Sequence, residues 1–408
     1  MRIRGALRLT LAWLALPTAV ACAVWFLGNG DSAAAEGYPL AYTTQAVSSM
    51  VLIGPLLAGL AVMAGNRWVA GGWRAVPTAR PRGLVALDVL WPLVAAGGCG
   101  LIAVAILGVP EGRADLRVMG AAMALVSALA VLGFGVGARA PMAWAAPAVI
   151  VATYLFFALP LIVEPLWVRQ ITGMWSGCCA VDQDLDPRAV AAVLTVAAAL
   201  GGAGAILGFT RRSALVAVAL ATSGFAAGAG LVARGGPDPV VPRDPDLLAC
   251  SEGLCLWPEH EAARSRALLA VTAVDRAGWH LGLGVPATYS EADPAGFGGL
   301  VADPRRDDAS LRLAATSALI PEYSAACAAR LESAGAPAYP YEVLAAARGV
   351  VATRAGLSVE ELEERGYDET AIATVQQLAD LPNVGRWLRQ VQVDIRRCQP
   401  HDLPLGSP

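Results

Sequence analysis

The stretch Pro258-Glu259-His260-Glu261-Ala262-Ala263-Arg264 holds the residue types of a hydrolytic metal site. A zinc peptidase helix uses His-Glu-x-x-His, because imidazoles four apart share one helix face and the glutamate activates water. His260 and Glu261 begin that pattern, and Arg264 stands where the second imidazole would be. A guanidinium has no lone pair for a metal and repels one. His280 and His401, the other histidines, have no ligand spacing to His260. The stretch therefore reads as an amphipathic helix whose Glu259, Glu261 and Arg264 face water or another domain. The sharper alternative is that Glu259, His260, Glu261 and Arg264 contact a partner or ligand. No catalytic residue, metal or cofactor is expected, and the chain reads as a non-enzyme.

Other chemistries find less. A nucleophilic hydrolase needs Ser or Cys beside a poised base. The Gly-rich segment Gly296-Phe297-Gly298-Gly299 has neither a nucleophile elbow nor a phosphate loop, and no Walker motif occurs. Asp182, Asp184 and Asp186 alternate as calcium ligands do, but lack the Gly and distal Glu of an EF-hand loop. The net charge of −3 offers no strong basic field for nucleic acid.

Sulfur is more informative. Cys22 and Cys99 lie in apolar runs, whereas Cys178, Cys179, Cys250, Cys255, Cys327 and Cys398 lie outside them. An even set suits disulfides on an oxidising face. The expected pairs are Cys250 with Cys255 and Cys327 with Cys398. Cys178 and Cys179 either bridge each other or send one thiol to the C-terminal domain.

The elements that must position these residues begin with apolar runs. The hydrophobic fraction is 56% and the charged fraction 15%, against ~25% charged in an ordinary soluble domain. Seven runs approach the ~20 residues that cross a bilayer as a helix. They are Leu9–Leu27, Val47–Ala64, Leu84–Val109, Val118–Val136, Ala143–Val163, Ala189–Phe209 and Ala214–Val232. The first follows Arg2, Arg4 and Arg8 and reads as an uncleaved helix, with a signal peptide as the alternative. Asp88 is the one charge inside a predicted span. It marks a functional site or reaches the interface to pair there. Gly133 with Gly137, Gly204 with Gly208 and Gly224 with Gly228 let helices approach, inside one chain or at a homodimer face. Trp68, Trp73, Trp167 and Trp175 suit interfacial anchors.

Cytoplasmic loops hold positive charge. With the N-terminus inside, ten arginines fall inside (Arg2, Arg4, Arg8, Arg67, Arg74, Arg80, Arg82, Arg139, Arg211, Arg212), against Arg113, Arg117, Arg169 and Arg188 outside. Seven spans then place the C-terminal domain outside the cytoplasm. The expected organisation is a transmembrane bundle over residues 1–233, a Pro/Gly-rich linker over 234–249 and an extracytoplasmic domain over 250–408. The fold class is an all-α membrane protein of about seven transmembrane helices followed by a mainly helical domain. In that domain, Pro258, Pro321 and Pro340 suit helix starts, and Ser358-Val359-Glu360-Glu361 has capping-box form. A final helix runs from Asn383 to Arg397, and short strands are expected around Leu281–Val285.

The string Cys255-Leu256-Trp257-Pro258-Glu259-His260, the pair Trp387-Leu388 and the terminal Cys398 carry a resemblance. With the bundle before them, they are similar to actinobacterial multi-pass proteins of the ABC-2-type permease-like group. That resemblance implies a membrane subunit of a transport complex, relying on a separate ATPase at the cytoplasmic face. It also implies a role in export or in handling peptides or lipids at the envelope. Arg67, Arg74 and Arg80 would be the grip for such a subunit. The group's usual core has six spans, and Arg264 departs from its peptidase-like domains. The second reading is a plasma-membrane receptor or scaffold whose C-terminal domain binds an extracellular ligand or protein.

Overall fold

The computed structural model divides the chain into two units, Met1–Pro242 and Arg243–Pro408. It describes residues 38–71, 82–108, 114–165, 167–175, 178–210, 214–234, 238–293, 296–333 and 341–399, with residues 17, 18, 20, 21 and 24. Arg74, Arg80, Cys22, Trp73 and most of the first predicted span lie outside the described residues.

In the first unit the described helices are α1 (Pro39–Val47), α2 (Met50–Ala70), α3 (Arg82–Gly108), α4 (Leu116–Gly137), α5 (Met142–Ala158), α6 (Val168–Ile171), α7 (Pro187–Phe209) and α8 (Ala214–Val232). Five helices are long and apolar enough to cross a membrane: α2, α4, α7, α8, and α5 with the 3₁₀ turn that extends it to Leu161. They coincide with five predicted spans. The third predicted span is α3, of which Leu90–Ala103 is described as an apolar stretch. The helix carries Asp88, whose side chain is outside the described residues.

Small residues set how these helices pack. α4 lies between α2 and α7, while α5 packs on α2 and α8 on α7. A Cβ on Gly133 would fall on the Ala58 carbonyl, and one on Gly137 on the Val62 carbonyl, one turn further along each helix. Gly204 meets the backbone of Leu132 in the same way, and Gly224 meets the Ala199 side chain. Gly208 and Gly228 face Phe134 and Val196. All six glycines thus face neighbouring helices of the same chain, which is the packing alternative and not the dimer face. The outer helices α5 and α8 leave apolar side chains exposed, Trp144 at 82% and Leu215 at 85%, a surface suited to lipid.

α1 is absent from the predicted spans, and its polar composition explains why. Tyr42, Thr43 and Thr44 interrupt the apolar run yet are buried. Thr44 Oγ1 donates to the Cys178 carbonyl at 2.6 Å, and Thr43 Oγ1 accepts from Asp115 N at 2.9 Å. The long loop before α7 is consequently part of the bundle's core. Trp175 is buried with Nε1 donating to the Gln170 carbonyl at 3.3 Å, and Trp68 packs against Phe134. Neither is an interfacial anchor, because each ring finds an apolar interior within its own unit. The predicted linker is also partly built: β2 (Val240–Pro242) pairs antiparallel with β1 (Gln183–Leu185), so the division falls after Pro242.

The acidic cluster has local employment. Asp184 takes Arg117 at 2.7 Å, and Asp186 caps α7 by accepting from Arg188 N at 2.8 Å. Arg169 pairs with Asp238. Two of the arginines assigned to the outside face are therefore neutralised.

The second unit is mainly helical. Its helices are α9 (Arg264–Leu281), α10 (Asp308–Leu319), α11 (Ala325–Ser333), α12 (Tyr341–Arg354), α13 (Val359–Glu363), α14 (Glu369–Ala379) and α15 (Val384–Arg397). A small sheet runs β3 (Ala249–Ser251), β4 (Leu254–Leu256), β5 (Tyr289–Ser290), antiparallel then parallel. Glu252 and Gly253, both at positive φ (52° and 77°), make the tight turn between β3 and β4. The predicted capping box is present, with Ser358 Oγ accepting from Glu361 N and Glu361 accepting from Ser358 N. The final helix also matches. Strands around Leu281–Val285 do not form, because α9 runs to Leu281 and Gly282 ends it at φ 70°. Pro321 starts no helix and lies between α10 and α11.

Candidate functional site

β4 leads directly into the motif. Pro258–Ala263 is a 3₁₀ turn, and the α-helix starts only at Arg264. The turn points His260 inward, and neither His260 nor its partner Glu291 has any exposed surface. His260 Nδ1 lies 2.6 Å from Glu291 Oε1. The same oxygen accepts from Ala302 N at 2.7 Å, and Oε2 accepts from Trp257 N at 2.7 Å. Trp257 Nε1 in turn donates to the Glu291 carbonyl at 3.2 Å. One carboxyl group therefore ties together the end of β4, the 3₁₀ turn and the loop before α10. With every one of these groups buried and paired, the constellation is a structural clasp with no access for substrate.

The other motif residues are also engaged. Glu259 holds Arg243 through two hydrogen bonds of 2.7 and 3.0 Å, and the same guanidinium lies 4.1 Å over the Trp257 ring. Burial works against the Glu259 charge, but Arg243 and a backbone amide outweigh it, so its carboxyl lies below the usual range. Arg264 donates to the carbonyls of Ala249 (2.6 Å), Leu254 (2.8 Å) and Ser251 (3.3 Å), and its Nε reaches Glu261 at 2.7 Å. It is the brace of the β3–β4 hairpin. The residue that breaks the zinc pattern thus has a definite structural task.

The cysteine pairs close the same unit. Cys250 and Cys255 face each other across the hairpin with Cα atoms 4.0 Å apart, and Cys327 pairs with Cys398 at 5.5 Å. In the first unit Cys178 pairs with Cys179, so neither crosses to the C-terminal domain. Cys99 is free and exposed.

Residues 254–398 match a family described as a domain of unknown function, DUF7224. The match runs from β4 to the cysteine that closes α15, within the second unit. No curated protein and no solved structure matches the chain.

Two residues that sequence reasoning passed over organise this unit. Glu291 sits in a Gly/Pro/Asp-rich segment with no periodicity to mark it. Gln392 is buried on α15, where its amide accepts from Gly284 N (3.0 Å) and donates to the carbonyls of Gly284 (3.1 Å) and Leu319 (2.9 Å). Its position on the apolar stripe beside Leu388 and Val391 was the available signal. Asp275 of α9 accepts from the Tyr289 hydroxyl, and burial raises the carboxyl of the one and the phenol of the other.

One opening in this unit is a groove of ≈ 780 Å³ where the ends of α9, α12 and α14 meet the start of α15. It is lined by His280, Arg354, Asp380, Asn383, Arg386 and Arg389, none of them among the predicted site residues. Arg67, the one described member of the proposed cytoplasmic grip, lies in the last turn of α2.

Proposed function

We propose that this is a non-enzymatic multi-pass plasma-membrane protein whose C-terminal domain is its extracytoplasmic binding part. The observation that carries the reading is the cysteine pairing: all six cysteines outside the apolar runs come together as three pairs. Disulfides persist on oxidising faces, and the arginine distribution assigns these segments to that face independently. In this reading the seven spans come from the apolar runs, and the arginine distribution puts the N-terminus in the cytoplasm. The motif that resembles a peptidase helix is built into the core, which favours a recognition domain over a catalytic one. In intact cells, a membrane-impermeant maleimide is expected to label Cys250 and Cys398 only after mild reduction. Labelling confined to opened cells would discard the topology.

A second reading keeps the chain as the membrane subunit of an ABC-type transport complex. It is favoured by the character of the bundle interior. Among the described residues, its buried polar side chains are those of Thr, Ser and Tyr, with the amide of Gln170. Proton-driven carriers rely on ionisable groups at depth, and Asp88 is the single charge that the sequence puts inside a predicted span, so this bundle favours a separate energy source. An ATPase is then expected to co-purify after crosslinking at the cytoplasmic face and to be lost when Arg67 is changed to glutamate. Recovery of the chain free of any ATPase under these conditions would leave the recognition reading alone.

A further inference from the structure

The groove between α9, α14 and α15 gathers positive charge in an unusual way. Arg354 donates to the Ala379 carbonyl at 2.8 Å and Arg389 to the Leu281 carbonyl at 3.2 Å, which fixes both guanidiniums at the rim. Each guanidinium has five N–H donors in a planar fork, and these bonds occupy one donor of each. Among the described residues, Arg354, Arg386 and Arg389 have no carboxylate partner. His280 adds an exposed imidazole in the last turn of α9. Asp380 is the single acid on the lining.

The start of α15 sharpens the point. A helix N-terminus carries partial positive charge and prefers acids. Here the first turn has none, Asn383 makes no capping bond, and Arg386 sits in that turn. Locally this is unfavourable, and such conflicts between sequence and structure concentrate at functional sites. An anion in the groove would resolve it. Among the described residues the Arg386 side chain makes no hydrogen bond or ion pair, while its backbone N–H donates to the Asn383 carbonyl at 2.9 Å. The volume lies within the ~300–1,000 Å³ of small-molecule sites. The polar, guanidinium-rich lining selects an oxyanion that accepts bidentate hydrogen bonds.

We propose that this groove binds the phosphate group of a phosphorylated ligand, held between Arg354, Arg386, Arg389 and the amino end of α15. The proposal gives the recognition reading its ligand class and rests on the assignment of this unit as the binding part. The groove lies within one unit, so it does not depend on which side of the membrane that unit faces. A free phosphorylated molecule and a phosphorylated lipid headgroup share this chemistry.

The test uses the full-length protein in nanodiscs of phosphatidylcholine, titrated calorimetrically with pyrophosphate and, separately, with soluble short-chain phosphatidylglycerol. Saturable binding of either is expected, and the tighter of the two names the source. Arg386→Gln removes no structural bond and is expected to weaken binding at least ~10-fold, the worth of a charge-assisted hydrogen bond. Arg386→Glu is expected to abolish binding while raising the ligand-free melting temperature by about 2 °C, because an acid suits the helix start. Absence of saturable binding by both probes, or an unchanged affinity in Arg386→Glu, overturns the proposal. Maleimide labelling that contradicts the topology, with phosphate binding intact, would instead remove the membrane-side assignment and leave the groove standing.

Discussion

Replacing Glu291 with alanine is expected to destabilise the C-terminal unit by ~3–5 kcal/mol, because two buried backbone N–H groups and a buried imidazole lose their partner at ~1–3 kcal/mol each. Small domains have only ~5–15 kcal/mol in total, so much of the unit's stability is at stake. The reason is geometric. The carboxyl receives Trp257 N and Ala302 N at 2.7 Å each and lies 2.6 Å from His260 Nδ1, all without solvent access. Alanine leaves these groups with no acceptor and no room for their former hydration. Glu291→Gln is expected to fall between, since one oxygen remains while the new amide confronts a backbone N–H. Limited proteolysis and thermal unfolding of the full-length protein in detergent would report both. A Glu291→Ala protein as resistant as the parent would show that the clasp holds nothing together.

The clasp also shows where reading the sequence stopped short. Runs of apolar residues carry their own evidence, since each span needs only its own length and composition. Ala214–Val232 is both a predicted run and a helix of those bounds. Local capping is similarly self-contained, and Ser358 with Glu361 needs only three residues of separation. The partner of His260 is different. Glu291 is 31 residues away, beyond α9, in a loop without pattern. Proximity of that kind depends on the β4–β5 pairing, two residue pairs long, which no periodicity announces. The zinc-like spacing drew attention to the right residues for the wrong chemistry. In a 3₁₀ turn residues three apart align instead of residues four apart, so the spacing rule that would place positions 260 and 264 on one α-helical face no longer applies. The basic groove was hidden for a related reason. His280, Arg354, Arg386 and Arg389 lie on three helices, each unremarkable alone.

In the membrane bundle the largest effect is expected from Gly137→Leu. Lipid tails are as apolar as the helix surfaces, so helices in a bilayer hold together chiefly by close packing. α2 and α4 achieve this through Gly133 and Gly137, whose missing Cβ atoms leave room for the carbonyls of Ala58 and Val62. On the opposite side, Gly65 of α2 admits the Phe134 carbonyl, so the contact is reciprocal. The obstacle in each case is backbone, which cannot turn aside as a side chain can. Overpacking ordinarily costs ~1–3 kcal/mol, and here relief requires separating two helices along at least one turn. Gly137→Leu is therefore expected to exceed that range and to give a protein that aggregates on extraction. Gly137→Ala should be milder but still destabilising. Gly120→Ala supplies the internal comparison. It lies on the same helix with nothing within 4 Å of an added Cβ. There the gain in helix propensity, about 1 kcal/mol, has no steric opposition, so stability in detergent should hold or rise. Equal behaviour of the Gly137 and Gly120 variants would mean that α2 and α4 do not pack through this seam, and Gly133 and Gly137 would return to being candidates for a homodimer face.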